Sequence, residues 1–295
     1  MTLTPTRTLM QAASAAGTGI GAFNVIHLET AEALVAGAER AGLPVILQIS
    51  QNCATYHGAL SPIALASLAI ATAASVPVAV HLDHAEDENL ALQAVDLGFG
   101  SVMYDGAHLP YAENVAATAR VTAYAHAAGV FVEAELGKIG GKDGAHAPGV
   151  RTDPAEAVSF VSATGVDALA VAVGSSHAMT QRDAALDLTL IAQLRAALAV
   201  PLVLHGSSGV ADAQLVDAIQ AGMTKINVST HLNGFFTAAI RRYLAEHEAV
   251  VDSRKYLAAG RDAVTGEAAR LLSLFASGIP IAAGADATLA VDIKG

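Results

Sequence analysis

Short apolar runs alternate with Ala-rich helical stretches along most of this 295-residue chain, and the alternation completes eight cycles. The runs are GIGAFNV (19–25), PVILQIS (44–50), PVAVHL (77–82), GFGSVMY (98–104), VFVEAEL (130–136), ALAVAVG (168–174), PLVLHG (201–206) and KINVS (225–229). Between them lie helical candidates near 29–41, 61–74, 87–97, 111–128, 154–163, 188–198, 211–220 and 231–246. Strands that alternate with helices run parallel, because each crossover helix carries the chain back to the edge where the last strand began. Eight such units are the number that closes a (β/α)8 barrel. An open doubly wound sheet would carry a G-x-G-x-x-G turn after its first strand. The first run ends GAFNVIHLET without one. The pattern therefore predicts an α/β fold, a (β/α)8 TIM barrel formed as one domain over residues 1–295, with 247–295 as a C-terminal helical extension.

Composition narrows the function classes. Hydrophobic residues make up 53% of the chain and charged residues 15%, as a sheet buried on both faces requires. The formal net charge is −11 with 16 Lys and Arg, and no basic stripe suited to nucleic acid is present. An anionic ligand must then be held by local donors. Cys53 is the only cysteine, which excludes an intrachain disulfide and a thiolate metal cluster. The N-terminal MTLTPTRTLMQAASAAGTG lacks a firm apolar core, so a cytoplasmic location is expected rather than secretion. Residues 41–80 hold no Asp, Glu, Lys or Arg, but Pro62 and Pro77 interrupt them and Ala and Ser are abundant. A buried helix followed by a buried strand is expected there, not a membrane span.

The polar residues fall unevenly. Chemistry in such a barrel sits at the C-terminal ends of the strands. There the runs close with Asn24, with Gln48 and Ser50, with His81, Asp83 and His84, with Asp105, and with Glu133 and Glu135. The last three close with Ser175, Ser176 and His177, with His205, Gly206 and Ser208, and with Asn227, Ser229 and Thr230. The opposite ends show Pro, Gly, Ala and Val. One rim is therefore chemical and the other structural. His84, His177 and His205 close three different strands, and three neutral imidazoles with one open position make a catalytic zinc shell. Each alone reads as a core or rim histidine; the metal reading needs all three and a closed barrel.

Asp83 and His84 are adjacent, so a regular strand turns them to opposite faces. If both reach the site, the strand ends by His84, and His81 is left as support. HGSSG (205–209) and NVST (227–230) follow strands 7 and 8 and lead into helices, the usual phosphate corner of such barrels. Gly206 lets backbone approach a ligand, while Ser208 and Thr230 offer hydroxyls; ordinary helix capping is the plainer reading of the same residues. GKIGGKDGAHAPG (137–149) contains five glycines and reads as a mobile loop over the site, with Asp143 near its middle. Lys225 shares a strand face with Asn227 and Ser229, which keeps an imine-forming lysine open as an alternative chemistry.

Taken together, AFN, HLDH, GFGSVMYDGAHLP, VEAELGKIGG, AVGSSH, VLHGSSG and KINVST resemble the class II, metal-dependent ketose-bisphosphate aldolases, the fructose- and tagatose-1,6-bisphosphate aldolase family, over about residues 5–275. The resemblance implies a (β/α)8 barrel assembled as a homodimer or homotetramer. It implies reversible, zinc-dependent cleavage of a phosphorylated ketose into dihydroxyacetone phosphate and an aldehyde. His84, His177 and His205 match the Zn2+ ligands, and Asp105 and Glu135 match acidic positions near the metal, sometimes linked to a second divalent or a monovalent cation. Asp83 matches the acid/base at the C4 hydroxyl, and Asp143 falls where a loop glutamate moves the C3 proton. Gly206, Ser208, Asn227, Ser229 and Thr230 match the dihydroxyacetone phosphate site. Asn24 and Ser50 match residues near the reacting carbons or the phosphates. Arg254 matches an arginine that reaches the far phosphate from a neighbouring subunit. Ala178, Asp143, Lys142 and Ser253 depart from the family's usual Gly, Glu, acidic residue and Pro, and the loop over 144–152 is short. These departures leave room for another phosphorylated keto-sugar, such as an inositol-breakdown or sulfosugar intermediate, or for a barrel that binds sugar phosphate without turnover. The expected partner is a small phosphorylated sugar, with neither nucleic acid nor membrane.

Overall fold

The computed structural model describes residues 3–136, 150–176 and 181–277. Helix α1 (Thr6–Ala16) comes first. Eight parallel strands follow: β1 (Ile20–Asn24), β2 (Val45–Ser50), β3 (Val78–Ala85), β4 (Ser101–Tyr104), β5 (Phe131–Leu136), β6 (Ala168–Val171), β7 (Leu202–Leu204) and β8 (Met223–Val228). They pair in sequence order, and β8 returns to β1 to close the barrel. The outer helices are α2 (Leu28–Ala41), α4 (Ser61–Ala73), α5 (Glu88–Asp96), α6 (Tyr111–Ala127), α7 (Pro154–Thr164), α8 (Leu188–Ala197), α9 (Asp212–Ala221) and α10 (Thr230–Glu246). A short α3 (Gln51–His57) precedes α4, and α11 (Ser253–Ser277) ends the described chain.

Local chemistry explains the punctuation. Pro44, Pro77 and Pro201 stand directly before β2, β3 and β7; proline cannot continue a helix and brings no N–H to leave unpaired. Ser50, Asp87, Asp153 and Asp187 accept the first backbone N–H groups of α3, α5, α7 and α8, which satisfies donors a helix cannot satisfy itself. The expected helices and strands are all present, with ends shifted by a few residues. Strand 6 stops at Val171, short of the expected Gly174. Two helices were not expected: α1, in the Ala-rich N-terminal stretch, and α3. Among the described residues no single helix is long and apolar enough to cross a membrane; α3 and α4 reach that composition only jointly, across a 115° bend.

The barrel interior changes character with height. Its floor is apolar: Ile20, Ala22, Ile46, Ala79, Phe131, Ala168, Ala170 and Val203 form one cluster with Leu9, Met10 and Ala13 of α1. Above it lies a polar layer of His81, Ser101, Glu133 and Lys225, all buried. Thr6 of α1 joins the two, with its hydroxyl 2.7 Å from that of Ser101. A separate and larger apolar shell lies between the strands and the helices.

Helix α11 packs against α2 and α10. The approach to α2 is close enough that a Cβ on Gly37 would sit 2.8 Å from Ala268 Cβ. Glu267 of α11 lies 2.7 Å from His231 of α10 and 2.6 Å from Arg270, and Arg270 reaches Asp212 of α9 at 2.6 Å. Burial would raise both carboxyls. For Asp212 the hydrogen bond from Arg270 and the charge of Arg182 outweigh burial, and for Glu267 the bonds from His231 and Arg270 do so; both sit below the ordinary carboxylate range. Depressed carboxylates stabilise the fold above their unfolded pKa of about 4 and lose that contribution as pH falls through the folded values. Arg270→Ala should cost ~2 kcal/mol at pH 7, a Tm drop of roughly 4–8 °C in a chain of this size. Thermal melts should show the gap to the parent narrowing below about pH 4; a gap independent of pH would rule out this network as its source.

Candidate active site

The C-terminal ends of the strands open into a cleft of about 330 Å3. Asn24, Ser50, Asp83, His84, Gly206 and Ser208 line it, together with Asn227, Ser229 and Thr230. Gln48, Gln51, Asn52 and Glu86 complete the wall. Gln51, Asn52 and Glu86 lie just past strand ends, where no residue pattern distinguished them in the sequence.

Asp83 and His84 both face this cleft, but not because β3 ends between them. The strand continues through Ala85. His84 instead takes a left-handed conformation, φ 48°, the only non-glycine with positive φ among the described residues. The pairing of β3 with β4 shifts register between Leu82 and Ala85. This bulge cancels the pleat that would send His84 outward. A left-handed non-glycine residue costs roughly 1–2 kcal/mol, which the contact between His84 Nδ1 and Asp105 Oδ2 at 2.9 Å helps to offset.

Asp83 is held from two sides. Its carboxylate accepts from Asn24 Nδ2 at 3.2 Å and from Asn227 Nδ2 at 3.4 Å. Gln48 Nε2 donates to Asn24 Oδ1 at 2.6 Å and so sets which way the Asn24 amide points. Burial would raise the Asp83 carboxyl, but the positive field of His84, then Lys225 and His205, outweighs it and holds the group below its ordinary value. Asp83 is thus an anion ready to accept a proton.

His205 is fully buried, and its ring centroid lies 4.5 Å from that of His84. Its Nε2 is 3.1 Å from Glu133 Oε1, and its Nδ1 is 3.2 Å from Glu135 Oε2. Burial pushes the imidazole down, but the Glu133 and Glu135 carboxylates outweigh burial and lift it to about 9. Glu135 Oε2 is also 3.8 Å from His84 Nδ1. Buried as it is, it has no well-aligned hydrogen bond among the described residues. Donor atoms of Asp83, His84 and His205 lie within 4.8 Å of one another, as do those of His84, Asp105 and Glu135. A buried carboxylate oxygen within 3.2 Å and 3.8 Å of two imidazole nitrogens, with no well-aligned hydrogen bond, is a donor set that suits a divalent cation, so the residues present fit such an ion. His177 lies outside the described residues, as does Asp143. Ser176, the residue before His177, borders Gly206.

The charged layer lies beneath. Lys225 donates to Glu133 Oε2 at 2.8 Å and to His81 Nε2 at 3.2 Å. Burial and the Lys225 charge push His81 down to about 3, so it is neutral. Lys225 is buried beneath the cleft, with its ammonium engaged by Glu133 and His81. The pairing of Glu133 with Lys225 was not anticipated, although Glu133 and Glu135 share a strand face by period 2, as do Lys225 and Asn227.

The opposite wall is built from backbone and hydroxyls. Gly206 has φ 66°, and a Cβ there would sit 2.5 Å from the Ser176 carbonyl oxygen, so glycine is required. Ser208 Oγ accepts from the Ser229 N–H at 3.4 Å and the His231 N–H at 3.2 Å, which ties the turn after β7 to the start of α10. Ser207 donates to the Asn227 carbonyl. Ser229 and Thr230 line the cleft, so the start of α10 brings its positive dipole end to this wall. Arg254 is elsewhere: its side chain is 89% exposed at the start of α11 and paired with Asp252.

The family model described as class II fructose-bisphosphate aldolase matches residues 4–278. A fructose-bisphosphate aldolase of Geobacillus stearothermophilus is 41% identical over 249 residues, 83% of this chain and 87% of that protein. The crystal structure of the YdjI aldolase from Escherichia coli K12 aligns with a TM-score of 0.80 at 31% identity, covering 92% of this chain and 97% of that one. The fructose-bisphosphate aldolase of Campylobacter jejuni shares the fold, with a TM-score of 0.77 at 22% identity over 92% of this chain and 93% of its own. A closed barrel whose polar rim gathers Asp83, His84, Glu135 and His205 is thus joined to a family match over nearly its whole length: the chain is an aldolase and belongs to the class II fructose-bisphosphate aldolase family.

Proposed function

We propose that this enzyme is a zinc-dependent aldolase that cleaves a phosphorylated ketose, of the fructose- or tagatose-1,6-bisphosphate kind, into dihydroxyacetone phosphate and an aldehyde, and runs the reverse condensation. The observation that carries the reading is the convergence of Asp83, His84 and His205, whose donor atoms lie within 4.8 Å of one another at the base of the cleft that Asp83 and His84 line. His84 and His205, with His177 by resemblance, would hold the metal, and Glu135 and Asp105 stand behind them. When bound, a divalent cation supplies Lewis-acid polarisation of the substrate carbonyl.

The chain's own residues do the rest. Asp83 removes the proton of the C4 hydroxyl as the C3–C4 bond breaks, and returns it on condensation. Asn24 and Asn227 fix its two oxygens, so the carboxylate does not rotate away from that proton. The proton at C3 is assigned to Asp143 on the resemblance alone. Gly206, Ser208, Ser229 and Thr230, at the positive end of the α10 dipole, would bind the phosphate of the dihydroxyacetone half. Ser50 lies on the β2 side of the cleft, toward the other end of the substrate. The described lining contains no Lys or Arg, which favours one of two arrangements for the far end. Either Arg254 of a neighbouring subunit supplies a cation there, in a homodimer or homotetramer, or the substrate is a phosphorylated keto-sugar with no second phosphate. Turnover across a substrate panel separates the two.

Asp83→Ala should keep zinc stoichiometry and lower kcat by about 100-fold to 10,000-fold, the usual contribution of a positioned acid/base. A variant with unchanged turnover would remove Asp83 from this role. Metal binding should also release a proton. In the metal-free protein His205 carries its Nδ1 proton up to pH about 9, and a cation must displace it. Apparent zinc affinity should therefore rise by up to roughly tenfold per pH unit between about pH 6.5 and 8.5. Calorimetry in buffers of different ionisation enthalpy should detect about one proton released; none released would exclude His205 as a ligand.

A further inference from the structure

Lys225 has no task in the aldol chemistry, yet it occupies the centre of the barrel and is 1% exposed. Removing an ammonium and a carboxylate from water costs several kcal/mol per ion before their attraction offsets it, and apolar residues of equal volume often do as well or better. The layer just below shows that alternative, filled by Ile20, Ala79, Phe131 and Val203. The charges therefore call for a reason beyond stability, and the directions of the hydrogen bonds supply one.

An ammonium has three donors and no acceptor. Glu133 Oε2 and His81 Nε2 must both accept from it, at 2.8 and 3.2 Å. Once Oε2 is engaged, Glu133 Oε1 is left as an acceptor 3.1 Å from His205 Nε2. That contact requires a proton on Nε2. In a neutral imidazole the lone pair is then on Nδ1, the nitrogen beside Glu135 and in the donor group shared with His84. On the other side, His81 Nε2 accepts, so Nδ1–H donates to Ser101 Oγ at 2.8 Å. The Ser101 and Thr6 hydroxyls lie 2.7 Å apart, and either can donate to the other. One polarity runs from Ser101 to the rim, and Lys225 sets it in both directions.

We infer that Lys225 is a positioning residue that, by donating to Glu133 Oε2, makes Glu133 Oε1 the acceptor that fixes the tautomer and ring orientation of His205 for metal binding through Nδ1. His81, Ser101 and Thr6 hold the ammonium in place from below. This deepens the metal-dependent reading and rests on it.

The test uses metal-stripped parent, Lys225→Met, Glu133→Gln and the double variant. Each is titrated with Zn2+ against a chromophoric chelator, and 15N shifts of labelled histidine, recorded in the metal-free proteins above about pH 9 where the ring is neutral, report the tautomer of His205. Loss of a carboxylate that orients a ligating histidine lowers metal affinity by about 10-fold to 100-fold. Both single variants should show that loss together with a smaller population of the Nε2–H tautomer. Lys225→Met added to Glu133→Gln should change affinity by less than about twofold, since the two residues act as one unit. A folded Lys225→Met protein with parental zinc affinity and an unchanged tautomer would overturn the assignment. If Lys225→Met alone does not fold, the double variant decides against Glu133→Gln: a further 10-fold to 100-fold loss means that Lys225 does not act through Glu133. A parent that fails to bind Zn2+ at all would instead sink the metal-dependent reading.

Discussion

Closure of an eight-stranded parallel sheet forces every second side chain of every strand into one narrow interior. That space has no solvent-facing side on which to dispose of a polar group. A barrel that must be both stable and reactive can only separate the two demands by height. This one does so in three steps: an apolar floor sealed by α1, a paired charged layer, and an open polar rim. The apolar floor matters to the chemistry above it. It keeps water from reaching the charged layer from below, so the ion pair and its hydrogen bonds act in a medium of low dielectric, where their directions hold.

The same crowding sets the electrostatics of the rim. Asp83, Asp105, Glu133 and Glu135 are all buried near the barrel axis, and Lys225 is the only buried ammonium among the described residues. Positive charge is therefore short. In the metal-free protein the shortage is met by a proton on His205, which explains why a fully buried imidazole is lifted to about 9 although burial alone would push it down. The proposed cation answers the same shortage with more charge, in the place that proton occupies. The rise at His205 and the fit of a divalent ion are two consequences of one excess of carboxylate.

The architecture was legible because its periodicity is coarse. Eight apolar runs that end in polar residues required no knowledge of register, and the rim residues Asn24, Asp83, His84, His205 and Asn227 follow from that pattern. Features that depend on partners across the barrel were harder to read. Glu133 and Lys225 lie on β5 and β8, 92 residues apart, and nothing local says that they meet. Helix α1 was missed because its buried face is only Thr6, Leu9, Met10 and Ala13, too little apolar surface to separate it from a loose N-terminal stretch. Helix α3 is seven residues with two buried positions, set by the Ser50 cap and the end of β2 more than by its own composition. His84 faces the cleft as expected, but not because β3 ends there: the strand continues to Ala85, and a left-handed residue within a strand leaves no mark in the sequence.

Strand β3 passes through all three levels and shows why that bulge exists. Ala79 belongs to the floor, His81 to the charged layer and Asp83 to the rim, at the period of two that a pleated strand imposes. A regular β3 would thus give the rim one residue, and the next on that face would stand roughly 6–7 Å further along the strand. The proposed acid/base Asp83 and the proposed metal ligand His84 would have to be closer than that to serve adjacent substrate atoms. Placing the ligand at the end of another strand is the other solution, and His205, directly after β7, is so placed. Turning His84 into the left-handed region provides a second reacting group from the same strand, beside Asp83 and within reach of Asp105. The strain is confined to one residue, and pairing with β4 resumes at Ala85, so the barrel stays closed while its rim gains two adjacent functional side chains.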